Sequence, residues 1–369
     1  MKVVVDGFVF ENSSQIGIWR VFYETMQRLS SDVDYTLWLR APQKQPIPPH
    51  VNVVRDYGRY YGTRRLVVPW LRATWARRVS SHRHVARSDV FHSTYFTLPQ
   101  TAGPAVVTTV HDMIPELAYC YMGADAWAGQ SRDKRRAIDA AALYIAVSDA
   151  TAADLVRFMP ETESRIRVIP HGAEHLSPAE RNLKSQPYAF FVGHRDGYKN
   201  FNVVLNAMTC DAWPADLHLR TAGRSLHERE WALIEYLGLR ERVIDLGRLT
   251  DEELSVAYAS ATCFVFPSAV EGFGLPVLEA QINRCPVVCS DIPVFREVAG
   301  NAALFFDPRL AESLAASVAK ACEPETIQRL RAAGLANTQR FSWDKAAEQT
   351  LAVYKEAIEA KRPTSPRYP

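Results

Sequence analysis

Two α/β domains, each a doubly wound parallel sheet, are the fold class this sequence predicts. Apolar strand-like runs alternate with helix-like segments from end to end, the pattern of parallel strands joined by crossover helices. A chain of 369 residues is too long for one ordinary core and suits two of roughly 150–200 residues each. The alternation breaks once, at GAEHLSPAERNLKSQP (Gly172–Pro187), a polar stretch with two prolines that precedes a new strand. The expected domains are therefore 1–175 and 186–344, followed by a last helix at about 345–361. In such sheets ligands sit beyond the carboxyl ends of the strands, here expected in a cleft between the domains.

Each element follows from its local pattern. MKVVVDGFVF lacks a signal-peptide layout, and Val3–Val5 reads directly as the first strand. Gly17–Ser30 has helical spacing, and Tyr35–Leu39, Val90–His92, Ala105–Val110 and Leu143–Ala146 are apolar runs of strand length. Ser148, heading VSDATAADL, predicts an N-cap for a helix over Ala150–Phe158, and the strand Ile166–Ile169 ends the first series. The second series has strands Tyr188–Val192, Leu217–Arg220, Val243–Leu246, Cys263–Phe266 and Pro286–Cys289. Its helices are Asn202–Met208, Glu228–Leu237 and Asp251–Ala259, with Ser342–Ala360 at the end. No repeat is evident, and RPTSPRYP (Arg362–Pro369) reads as a frayed tail.

Composition narrows the class. A hydrophobic content of 47% with 23% charged residues describes a globular enzyme, and a net charge of +2 favours no particular partner. No apolar stretch approaches the ~18 residues that span a bilayer. The six cysteines are scattered; Cys285 and Cys289 flank a strand-like PVV without a second metal-spaced pair, so reduced thiols in a cytoplasmic protein are expected and a zinc site is not.

The stretch CFVFPSAVEGFGLPVLEAQINRCPVVCSD (Cys263–Asp291) carries the most chemistry. A buried strand is followed by a loop with Glu271, Gly272 and Gly274, and Pro276 predicts a helix starting near Leu275 or Pro276. Glycines before a helix bare its N-terminal amides, here those of Phe273, Gly274 and Leu275, at the positive end of its dipole, which suits a phosphate. Glu279 follows eight residues after Glu271. Carboxylates there would repel phosphate but accept hydrogen bonds from hydroxyls, and a phosphate with hydroxyls on both sides is a sugar nucleotide. GHRDGYKN (Gly193–Asn200) directly follows the strand YAFFV, which places Arg195 and Lys199 on a glycine-containing loop at a strand's carboxyl end, as a diphosphate clamp requires. HDMIPE sets His111 just past the strand AVVTTV, where an imidazole can meet a sugar hydroxyl, while Asp112 shapes the turn.

These segments together resemble the retaining glycosyltransferases of family 4. Glu271 and Glu279 match the family's Glu-x7-Glu signature, GHRDGYKN its GxRxxYKN segment, and HDMIPE its HD-x(n)-PE segment. GIWR, VSDAT, VIPHG and FSWDKAAEQTLAVY follow in the family's order. The resemblance implies a GT-B fold, two Rossmann-like domains facing across a cleft, with the last helix crossing back onto the first domain. It implies that Glu271 and His111 meet the donor sugar, Glu279 the ribose, and Arg195 and Lys199 the leaving diphosphate. Gly17, Gly193 and Gly272 would let the donor approach the backbone, and Arg248 would lie near the base. The family often has two glycines where this chain keeps only Gly17, which makes Arg20 an internal helix partner. Within the family the chain resembles mannosyltransferase-like enzymes of bacterial surface polysaccharide and lipopolysaccharide assembly, which use nucleotide sugars with retention and no metal or cofactor. Mannose from GDP-mannose is the first expectation for the donor, and a glycan or polyprenyl-diphosphate-linked glycan for the acceptor; nucleic acid is not expected.

Rival readings stay open at this point. A sugar-nucleotide epimerase on the same fold would use the same clamp without an acceptor. A glycoside hydrolase needs carboxylates ~5–10 Å apart, whereas Glu271 and Glu279 on a continuous helix would be ~12 Å apart. A catalytically idle assembly subunit would have lost the clamp. Two motifs are set aside: Asp32-Val33-Asp34 spells a metal-binding DxD but lies on the amino side of a strand, and Gly272-Phe273-Gly274 has Val277 where the dinucleotide fingerprint needs a third glycine. Arg59–Arg87 holds eight arginines and no acid, interleaved with Trp70 and Trp75. It reads either as a basic helical surface packed on the first domain or as a contact with the anionic inner face of the plasma membrane.

Overall fold

The computed structural model describes all residues except 13–15, 30–32, 57–82, 100–101, 118–123, 175, 181–185, 196 and 362–369. It divides into two units: one of Met1–Glu116, Ala124–His171 and Trp343–Pro369, the other built on Gly172–Ser342.

Among the described residues the first unit carries seven parallel strands: β1 (Lys2–Asp6), β2 (Asp34–Leu39), β3 (Asn52–Arg55), β4 (Val90–Ser93), β5 (Ala105–Val110), β6 (Leu143–Ala146) and β7 (Ile166–Val168). Their order is β3-β2-β1-β4-β5-β6-β7, so the order reverses between β1 and β4. At that point Asp6 is fully buried and accepts from the Thr94 amide (2.6 Å), the Thr94 hydroxyl (2.8 Å) and the Phe8 amide (2.8 Å). The carboxylate thus joins the two segments that leave β1 and β4. The final helix, Trp343–Lys361, packs on the helix Ile16–Arg28 and on β4, β5 and β6. Its buried residues Trp343, Ala346, Ala347, Thr350, Val353, Tyr354 and Ala357 recur at helical spacing and form one apolar stripe.

The second unit has β8 (Tyr188–Val192), β9 (His218–Ala222), β10 (Val243–Asp245), β11 (Cys263–Phe266), β12 (Val287–Ser290) and β13 (Ala303–Phe306), in the order β10-β9-β8-β11-β12-β13. All pairings are parallel, and the order reverses between β8 and β11. The inner strands are buried along their length and carry no alternating polar face, as strands covered on both sides must. Phe191, Phe201, Leu205, Val265, Val288, Leu314 and Val318 belong to its core.

β3 and β13 were not among the sequence-predicted strands. Both are four-residue edge strands with half-buried centres, and so short a stretch has too little apolar periodicity to separate it from a loop. Among the described residues Ser148 does cap its helix, accepting from the Thr151 amide at 2.9 Å. Arg20 pairs with Glu24 one turn along its own helix.

Candidate active site

In an open parallel sheet the ligand crevice lies beyond the carboxyl ends of the two strands where the order reverses. In the second unit these are β8 and β11. The segments leaving them, 193–200 and 267–274, hold Arg195, Lys199, Glu271, Gly272, Phe273 and Gly274. The Ala269 amide donates to the Tyr198 carbonyl at 2.7 Å and ties the two segments together.

Glycine is obligatory at the start of the helix Leu275–Ile282. Gly274 has φ +97°, and a Cβ there would stand 2.8 Å from Cε1 of Phe295. The left-handed residue turns the chain abruptly into the helix, Pro276 occupies the first turn where its missing N–H costs nothing, and among the described residues no side chain caps this end. A helix terminus without a side-chain cap, at the switch point of a parallel sheet, offers its positive dipole end to an anion. Gly193 has φ +119°, which favours glycine, and a Cβ on Gly223 would meet the Gly193 carbonyl oxygen at 2.9 Å, so the close approach of the ends of β8 and β9 requires glycine at 223.

The charged residues of this site are partnered. Lys199 donates from Nζ to Glu271 Oε1 at 2.5 Å, with side-chain exposures of 18% and 11%, and its ammonium lies 5.4 Å from the centre of the Phe266 ring. Arg195 is more deeply set, with 1% of its side chain exposed. Its Nε donates to Glu230 Oε1 (2.7 Å) and Nη2 to the carbonyls of Arg224 (2.5 Å) and Ser225 (3.0 Å), while Nη1 is buried with no hydrogen-bond partner among the described residues. Glu230 in turn accepts from the His227 amide in the capping box of the helix Glu228–Tyr236. Burial pushes the Glu230 carboxyl up, but the bonds from Arg195 and the His227 amide outweigh it and hold it below the usual carboxylate range. Glu279, on the helix Leu275–Ile282, is half-buried and accepts from the Tyr258 hydroxyl at 3.0 Å. Arg248 is exposed in the segment after β10. Neither Glu230 nor Tyr258 carries a sequence signal; each pairs with a residue more than twenty positions away.

His111 lies in the first unit at the end of β5. Its Nε2 is 3.0 Å from the Thr94 carbonyl oxygen and must carry the proton of that bond, which leaves Nδ1 as the acceptor. Burial lowers its pKa to about 4, so the ring is neutral at neutral pH. Asp112 shapes the turn, accepting from the Ile114 amide at 3.0 Å. Glu116, the last residue of HDMIPE, pairs at 2.6 Å with Lys134, a fully buried lysine that also donates to the Asp112 carbonyl and that no sequence signal marked. Gly17 opens the helix Ile16–Arg28, and among the described residues no atom beyond its own helix lies within 4 Å of a built Cβ. Asp34 begins β2 and is exposed, whereas Asp32 lies outside the described residues, as does most of Arg59–Arg87. Among the described residues no helix is long and apolar enough to cross a membrane.

Residues 174–354 match the family model described as glycosyl transferases group 1, and residues 16–175 the one described as glycosyltransferase family 4. The chain is 32% identical over 285 residues to the O-antigen chain mannosyltransferase B of Escherichia coli, an alignment covering 72% of this chain and 74% of that protein. It is 27% identical over 298 residues to the serotype-specific mannosyltransferase WbdA of Escherichia coli, covering 74% of this chain but only 36% of that longer protein. The fold resembles that of sucrose-phosphate synthase from Thermosynechococcus elongatus, with a TM-score of 0.77, 17% identity and coverage of 98% of this chain and 100% of that one.

Proposed function

The chain belongs to glycosyltransferase family 4 and is a sugar-transferring enzyme, and from this premise we propose that it moves mannose from GDP-mannose, with retention, onto a glycan acceptor of a bacterial surface polysaccharide. The uncapped helix end at Gly274–Leu275 beside the Lys199–Glu271 pair is the observation that carries the donor reading. A positive dipole end and a cation favour a diphosphate, and the carboxylate next to them suits hydroxyls. The names of the mannosyltransferase relatives support the choice of sugar.

In the proposed mechanism the diphosphate leaves against Lys199, Arg195 and the amides of Phe273, Gly274 and Leu275, where negative charge grows in the transition state. Glu271 accepts from the sugar hydroxyls and Glu279 from the ribose, and Arg248 lies beside the base. Gly17 and Gly193 leave the backbone open to the donor. His111 is assigned to a sugar hydroxyl, for which its Nδ1 is the acceptor. The acceptor hydroxyl attacks on the face the diphosphate leaves. No residue is assigned as a covalent nucleophile and no metal is assigned to the charge.

A thermal-shift screen against GDP-mannose, GDP-fucose, UDP-glucose and UDP-N-acetylglucosamine tests the donor, because a ligand raises stability in proportion to the logarithm of its concentration over Kd. GDP-mannose should give the largest shift, and turnover with it should persist in EDTA. The acceptor is proposed to be carried on a polyprenyl diphosphate, with Arg59–Arg87 meeting anionic lipid. Cosedimentation with anionic liposomes that weakens at high salt is its expected signature; wild-type protein that stays in the supernatant at low salt removes the membrane contact.

A further inference from the structure

We propose that the Lys199–Glu271 ion pair makes the donor site discriminate: it favours an intact nucleotide sugar over the free nucleoside diphosphate that transfer leaves behind. The inference rests on the donor-site reading above and concerns what the two residues do to each other, which neither assignment alone contains.

The pair is built into the switch point. Lys199 and Glu271 come from the two segments that leave β8 and β11, joined by the bond from the Ala269 amide to the Tyr198 carbonyl. Nζ and Oε1 are 2.5 Å apart, and the ammonium lies 5.3 and 5.4 Å from the ring centres of Tyr198 and Phe266, so both charges are sheltered and each is the other's partner. A diphosphate entering at the Gly274 helix end competes with Glu271 for that ammonium.

The two ligands settle the competition differently. A free nucleoside diphosphate draws Lys199 away and leaves a sheltered carboxylate beside phosphate oxygens with no donor to replace the ammonium. Repulsion and the missing hydrogen bond both oppose binding. A nucleotide sugar draws Lys199 away as well but brings hydroxyls for Glu271 to accept, so one satisfied arrangement is exchanged for another. Transfer removes those hydroxyls. Glu271 then recaptures Lys199, and the diphosphate loses its cation at the moment it has become product.

Calorimetric titration of the full chain with GDP, GDP-mannose, UDP and UDP-glucose tests this in wild type, Glu271→Gln and Glu271→Ala. Gln preserves shape and an acceptor oxygen but removes the charge. Both variants should bind the matching nucleoside diphosphate about two- to fivefold more tightly, the scale of a partly exposed ion pair removed as a competitor, while binding the nucleotide sugar less tightly and showing stronger product inhibition. Glu279→Ala serves as the contrast and should weaken both ligands. Nucleoside diphosphate affinity that is unchanged or lower in both Glu271 variants overturns this inference and leaves the donor site standing. Wild-type protein that binds none of the four ligands overturns the donor-site reading and the inference with it.

Discussion

Glu279 and Glu230 are both carboxylates tied to the second unit's site, and they should fail in different ways. Glu279 already accepts a hydroxyl from Tyr258. Its replacement by Ala should weaken donor binding by about 1–3 kcal/mol, the range for a hydrogen bond to a charged group; unchanged calorimetric affinity would remove the ribose assignment. Glu230 balances a guanidinium that is all but buried. Glu230→Ala leaves that charge without a counterion and should cost about 3 kcal/mol of the second unit's stability. Glu230→Gln, which keeps a hydrogen bond to Nε, should cost less in the same urea melts. Equal stability of wild type and Glu230→Ala would show that the pair contributes little. Arg195 was singled out from its loop, but its pairing with Glu230 was not, because the two meet only when the loop after β8 folds against a helix thirty-five residues on.

The element that shapes the site is the helix Leu275–Ile282 with its glycine entrance. Its start was legible because Gly274 and Pro276 are local signals: one permits the left-handed turn, the other favours the first helical position. Gly274→Ala forces a side chain into positive φ and against Phe295. It should destabilise the second unit by about 1–3 kcal/mol and weaken donor binding by displacing the helix terminus. An unaltered melt together with unaltered donor affinity would show that neither the turn nor the terminus matters. The helix Ala124–Ala140, which brings Lys134 to Glu116, had no such punctuation and was not singled out.

At the scale of the whole molecule, the first unit is stabilised by imidazoles kept neutral. His92 is buried, with Nδ1 2.6 Å from the Tyr354 hydroxyl and Nε2 2.8 Å from Thr109 Oγ1, and burial lowers its pKa to about 3. His111 is lowered to about 4, also by burial. In the unfolded chain both return to the ordinary value near 6.5, so below that pH the unfolded state binds more protons and stability falls. Full stability is therefore present above about pH 6.5 and declines toward pH 4, by about 1.4 kcal/mol per histidine per pH unit. Calorimetric melts from pH 7.5 to 5 should show the transition that contains the first unit moving to lower temperature, and less so in His92→Gln. A melting temperature constant over that range would contradict the buried neutral pair.

Sequence alone determined the two parallel α/β sheets, the helix start at Leu275 and the residues that gather at the ends of β8 and β11. Those features are written in short-range signals: apolar runs, glycines that need positive φ, prolines that open helices, and loops that directly follow strands. Tertiary structure alone decided the partners. Lys199 with Glu271, Arg195 with Glu230, Glu279 with Tyr258, Asp6 with Thr94 and His92 with Tyr354 are contacts between 21 and 262 residues apart. A charge or hydroxyl carries no mark in sequence of which distant group will satisfy it. That choice is made when strand order brings segments together and burial makes an unpaired polar group too costly to leave.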